Sequence, residues 1–158
     1  MKSKTVECNG PAVICMQGSI YSLGGREGSR KTNKAECFNL NTSTWSFISP
    51  MLNAREDSAA VEFQNRLYVL GGYDDGQDLK TVETYDPSSN SWTMLAPMIS
   101  ARQLPKSFVF NGNIYAVGGI NSSKTMEKYD SEKKTWVMVD IPKDMDLYIW
   151  NSVKMRAI

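Results

Sequence analysis

Residues Asn65–Trp92, NRLYVLGGYDDGQDLKTVETYDPSSNSW, decide the fold, because the chain writes this stretch three times. An apolar run, Leu67-Tyr68-Val69-Leu70, ends in Gly71-Gly72. A polar loop follows, then a second run closing on Tyr85, a turn through Pro87, and Trp92. Upstream the order returns as IYSLGG with Phe38 and Trp45; downstream it returns as IYAVGG with Tyr129 and Trp136. The glycine pairs begin at 24, 71 and 118, two intervals of 47 residues, and Tyr21, Tyr68 and Tyr115 keep the same step. Counted from the second glycine, the aromatic and the tryptophan fall at 13 and 20 in the first two copies and at 10 and 17 in the third. Three residues are gone from one loop and nothing else has moved, which is how stacked repeat units vary.

The bulk numbers agree with a folded unit and exclude several classes. Of 158 residues, 41% are apolar and 22% charged, a globular balance. Net charge is +1 with no long run of either sign, so neither a nucleic acid nor a membrane surface is expected as partner. No apolar run approaches the ~18 residues a membrane-spanning helix needs, and MKSKTVECNG lacks the apolar centre of a signal peptide. Three cysteines, Cys8, Cys15 and Cys37, form neither an even set nor a metal spacing, which points to a reduced, cytoplasmic protein. The sequons at Asn41 and Asn121 then read as ordinary turns. Histidine is absent altogether, removing the commonest metal ligand and the usual general base.

Each copy parses as four short strands. Gln64-Asn65, Gln17-Gly18 and Asn111-Gly112 sit between apolar runs as hairpin turns, whose central residues must reach positive φ. The strand before each glycine pair is apolar without alternation and must be covered on both faces. The third and fourth strands, Thr81–Tyr85 and Trp92–Leu95 in the middle copy, mix in polar residues and are expected nearer a rim. No segment keeps a helical period. Four-stranded antiparallel units covered on both faces make an all-β propeller, with blades stacked around an axis and the aromatics anchoring blade to blade.

The glycine pair, the aromatic, the tryptophan, and Arg55 and Arg102 after Pro-Met resemble the kelch repeat, and in particular the kelch part of the kelch-like proteins that carry BTB and BACK domains. A WD-type propeller is disfavoured, since no copy has its Trp-Asp ending. The expected divisions are a leader at 1–10, repeats at 11–57, 58–104 and 105–146, and a further repeat start or closing strand at 147–158. The resemblance implies about six blades per ring. Three blades alone would expose an apolar face and unpaired edges. The expectation is therefore either a piece of a longer polypeptide or a homodimer completing a six-bladed ring.

Antiparallel connectivity sorts the loops to two ends. The loops after the glycine pairs and the links between blades lie together, and long loops on a rigid scaffold are where recognition concentrates. The resemblance implies that this end binds partners. By position it selects Arg26, Tyr73 and Ile120 after the glycines, and Glu56, Asp57, Gln103 and Leu104 after the arginines. Tyr148, Ile149 and Trp150 occupy the matching stretch after the third copy. Tyr73 and Trp150 are of the residue type favoured at binding hot spots. Glu56 and Asp57 are candidates to receive a basic peptide. Arg55 and Arg102 are expected to pair structurally with the recurring Glu36, Glu83 and Glu127.

No cofactor is expected. GGREGSRK lacks the Gly-Lys-Ser/Thr ending of a phosphate loop, and Asp74-Asp75-Gly76 lacks calcium-ligand spacing and reads as a solvated tip. The function expected is a non-catalytic protein- or peptide-binding module. The resemblance implies substrate recognition for a cullin ubiquitin ligase through a BTB domain not contained in these residues, with actin binding as the alternative. Copper-oxidase and sialidase propellers are excluded as parallels by the missing histidines and Asp boxes.

Overall fold

The computed structural model describes residues 8–141. Three four-stranded antiparallel sheets follow one another. The first contains β1 (Ala12–Met16), β2 (Ser19–Leu23), β5 (Ala35–Asn39) and β6 (Thr44–Ile48). The second contains β7 (Ala59–Phe63), β8 (Arg66–Leu70), β11 (Val82–Asp86) and β12 (Ser91–Met94). The third contains β13 (Lys106–Phe110), β14 (Asn113–Val117), β15 (Met126–Asp130) and β16 (Thr135–Val139). The three inner hairpins turn where the sequence predicts. Gln17 and Gly18 (φ 49° and 70°), Gln64 and Asn65 (52° and 58°), and Asn111 and Gly112 (45° and 70°) supply the paired left-handed conformations.

The sheets meet face to face, and their first strands converge, β1 beside β7 and β7 beside β13. Between the first and second blades, Tyr21, Leu23 and Met51 pack against Leu67, Val69, Tyr85 and Trp92. Between the second and third, Val61, Tyr68, Leu70 and Met98 meet Ile114, Ala116, Tyr129 and Trp136. In β8, Leu67 and Val69 go one way and Tyr68 and Leu70 the other, so the non-alternating run is covered on both sides. Each such aliphatic side chain contributes about 1.5–3 kcal/mol by leaving water. The recurring rings sit at these seams, with Tyr21 and Tyr85 6.2 Å apart. Burial, and then the neighbouring Cys37, push the Tyr21 hydroxyl up to about 12.

Two features differ from the sequence reading. The third strand is not near a rim: in β11 Val82, Glu83, Thr84 and Tyr85 are all buried. Its polar residues mark partners inside the protein rather than solvent. The loops after the first two glycine pairs are not irregular but form two-stranded ribbons, β3 (Arg26–Glu27) with β4 (Arg30–Lys31), and β9 (Tyr73–Asp74) with β10 (Gln77–Asp78). Asp75-Gly76, read as a solvated tip, is exposed as expected and forms the ribbon's turn, with φ of 44° and 82°. The third blade, three residues shorter here, has no ribbon and keeps its full sheet.

The glycine pair is explained by close approach. Gly71 and Gly72 have φ of 62° and 104° and lie between two inter-blade links. A Cβ on Gly71 would strike the Arg102 carbonyl, and one on Gly72 would come within 2.7 Å of the Glu56 carbonyl.

Candidate functional site

The site begins with what holds the links. Arg55, fully buried, donates from Nη1 to the carbonyls of Gly71 (2.7 Å) and Thr81 (3.1 Å), and from Nη2 to Glu83 Oε1 (2.6 Å). Glu83 in turn accepts from the backbone N–H groups of Leu52 (2.6 Å) and Asn53 (3.0 Å). Arg102 repeats the arrangement with Gly118, Thr125 and Glu127, the last at 2.7 Å. Burial pulls the Arg55 guanidinium below its ordinary value, and Glu83 opposes that shift. Each pair fastens the link leaving one blade to the third strand of the next, the structural role expected from the sequence.

In the first blade the register places Cys8 where the other two links have arginine, 47 residues before Arg55. Its Sγ donates to the carbonyl of Gly24 at 3.4 Å, the counterpart of the carbonyls that Arg55 and Arg102 engage.

So fastened, the links run side by side around the axis. The N–H of Asp57 donates to the Gly10 carbonyl (2.9 Å), and that of Leu104 donates to the Asp57 carbonyl (2.8 Å). Gln103 Nε2 adds a bond to Asp57 Oδ2 at 2.9 Å. Glu56 and Tyr73 exchange two backbone bonds (3.1 and 2.8 Å), and Ile120 donates its N–H to Gln103 (2.9 Å). Thus Arg26, Tyr73, Ile120, Glu56, Asp57, Gln103 and Leu104 are brought together at the long-loop end. Tyr148, Ile149 and Trp150 fall outside the described residues.

Their side chains are not equally available. Glu56 is engaged by Arg26 Nε at 2.9 Å and lies 3.6 Å from Lys31 Nζ. Asp57 accepts from Gln103, so both acids already hold partners within the protein while keeping further acceptor capacity. Lys31 Nζ also stands 5.1 Å from the Tyr73 ring centre, a cation–π contact of about 0.5–1 kcal/mol at such a site. The most exposed of the set are apolar, Leu104 at 44% and Ile120 at 50%, beside the partly open side chain of Arg26.

A cleft of about 470 Å³ lies at this end, lined by Ser29, Arg30, Lys31, Ala54, Asp74 and Asp75. One wall is a basic ribbon and the other an acidic one. Sequence reasoning missed these residues, because the ribbons that carry them were read as loops; the Asp-Gly turn was the available signal. At the opposite end a cleft of about 460 Å³ lies beside Arg66 and Asp86, which pair at 2.6 Å. Hydrogen bonds from Ser88 hold the Asp86 carboxyl below its ordinary range.

Face-stacked four-stranded blades, glycine pairs squeezed between links, and arginine-fastened links define a segment of a kelch-type propeller. Residues 2–148 match the KLHDC2/KLHL20/DRC7 Kelch-repeats domain, and the chain belongs to that family. Among the 166 solved chains that match, one described as the structure of YjhT superposes with a TM-score of 0.78 at 16% identity, covering 89% of this chain and 52% of that one. That likeness concerns the fold, and this chain spans about half the length of that structure. No sequence among the curated proteins matches significantly. A kelch-repeat domain is a protein–protein interaction fold. Among the described residues, no helix is long and apolar enough to cross a membrane.

Proposed function

We propose that this chain is a non-catalytic binding module whose long-loop end receives a peptide or folded partner. Leu104 and Ile120 would serve as apolar contacts and the ribbon cleft as the charged one. The reading is supported chiefly by one observation: residues from all three blades converge on that end while leaving two large aliphatic side chains about half exposed, on links and loops held by buried ion pairs. By family resemblance, the finer reading is the substrate-recognition part of a cytoplasmic kelch-like adaptor for a cullin ubiquitin ligase, with the BTB domain elsewhere.

Peptides selected from a random library against the chain provide the test. Leu104→Asp and Ile120→Asp are expected to weaken the selected binders at least tenfold, and Arg66→Ala, at the opposite end, to leave them unchanged. Loss with Arg66→Ala and none with the other two would move the site to the other end. Co-sedimentation with actin filaments at low salt separates the cytoskeletal alternative, for which no pelleting is expected.

A further inference from the structure

The two ribbons are copies of one element carrying opposite charge. The 47-residue step relates β3 and β4 to β9 and β10, and it sets Gly28 and Lys31 of the first ribbon at Asp75 and Asp78 of the second. Residues 26–34 hold Arg26, Arg30, Lys31 and Lys34 against Glu27, whereas residues 73–80 hold Asp74, Asp75 and Asp78 against Lys80. Both are the same two-stranded antiparallel turn, and the third blade does without one. The fold does not dictate these signs, since the same backbone forms with either.

Nor do the opposed charges neutralise one another. The cleft between the ribbons is lined by Ser29, Arg30 and Lys31 from the first, Asp74 and Asp75 from the second, and Ala54 from the link joining the two blades. All of these are described residues. No ion pair between described residues crosses the cleft. Lys31 turns instead to Glu56 at 3.6 Å and to the Tyr73 ring. The side chains of Arg30, Asp74 and Asp75 hold no hydrogen bond or ion pair with a described residue, and Arg30 and Asp75 are exposed. Charges of opposite sign on two walls of one slot set up a field across it rather than a patch of a single sign.

We propose that this cleft takes an extended segment of a partner protein in which acidic and basic side chains alternate. The inference rests on the function reading above and deepens it by naming the chemistry of the partner. Successive side chains of an extended chain point to opposite sides. An acidic residue then faces Arg30 and Lys31 while the next, a basic one, faces Asp74 and Asp75. A run of acids would set carboxylates against Asp74 and Asp75, and a run of lysines would set ammonium groups against Arg30 and Lys31. One wall therefore rejects any segment of a single sign. Each exposed pair contributes little and is screened by salt, so alternation confers selectivity more than affinity.

Four capped peptides of equal length serve as probes, titrated against the whole chain at low salt: alternating Lys-Glu, a Lys run followed by a Glu run, all-Lys and all-Glu. The alternating peptide should bind about fivefold more tightly than each of the others, with the margin shrinking as salt rises. Arg30→Glu should erase that lead and favour all-Lys. Asp74→Lys with Asp75→Asn should erase it in favour of all-Glu; Asn tolerates the φ of 44° at position 75. The three changes together should restore the lead, because the reversed walls take the same peptide one residue out of step. The thermal transition should stay in place throughout, since the ribbons lie outside the four-stranded sheets. An alternating peptide that binds no tighter than its block isomer overturns the proposal; if library-selected binders still need Leu104 and Ile120, the function reading survives that result. A lead that persists in both wall variants overturns the proposal as well, since the charges recognised would then lie elsewhere.

Discussion

Arg55 and Glu83 show why a charged pair sits where apolar side chains would be simpler. The guanidinium satisfies carbonyls of Gly71 and Thr81, which turn inward where the strand gives way to the ribbon. The carboxylate satisfies two N–H groups of the link. Removing one partner strands a buried charge, at a cost of about 3–5 kcal/mol. Arg55→Met is accordingly expected to lower the unfolding free energy by about that amount in urea titrations. Arg55→Met with Glu83→Leu should recover part of the loss but not all, because the Leu52 and Asn53 N–H groups lose their acceptor. A single-variant cost under about 1 kcal/mol would mean that the pair does not hold the link. The recurrence of Arg and Glu was legible in the sequence. That the glutamate lies inside a buried strand was not, since polar residues in an alternating run read as solvent-facing until their partner, 28 residues away in Arg55, is placed.

Among the elements, the ribbons are additions to a sheet that does not need them. The third blade omits the ribbon and still forms all four strands in register. Shortening the second blade's loop by Asp75, Gly76 and Gln77 is therefore expected to change stability by less than about 1 kcal/mol, because loop length enters closure entropy only weakly. The same deletion removes one wall of the cleft, so binding that depends on the cleft should fall while the thermal transition stays in place. A collapse of the transition instead would show the ribbon to be part of the core. The strands and inner turns were readable in advance because spacing, apolar runs and Asn-Gly or Gln-Asn turns agree on one answer. The ribbons were not, because their two-residue strands are too short to show a period, and only their turns mark them.

At the scale of the whole molecule, the account rests on the blades gathering about a shared axis. The repeat step together with the apolar second strand predicts this, since a strand apolar on both faces needs a neighbour on each side. Which side chains find partners at the loop end was not readable, because Arg26 and Gln103, which bond Glu56 and Asp57, lie 30 and 46 residues from them in sequence. The links report the arrangement directly. The amides of Asp57 and Leu104 find their acceptors on the neighbouring link, Gly10 and Asp57 respectively, and would face water in any arrangement that did not bring the links together. Amide hydrogen exchange at these two positions is the most direct measurement. Protection comparable to that of Val69 and Val82 in the buried strands is the expected result. Exchange at the rate of an exposed loop, with the strands still protected, would contradict the radial stack.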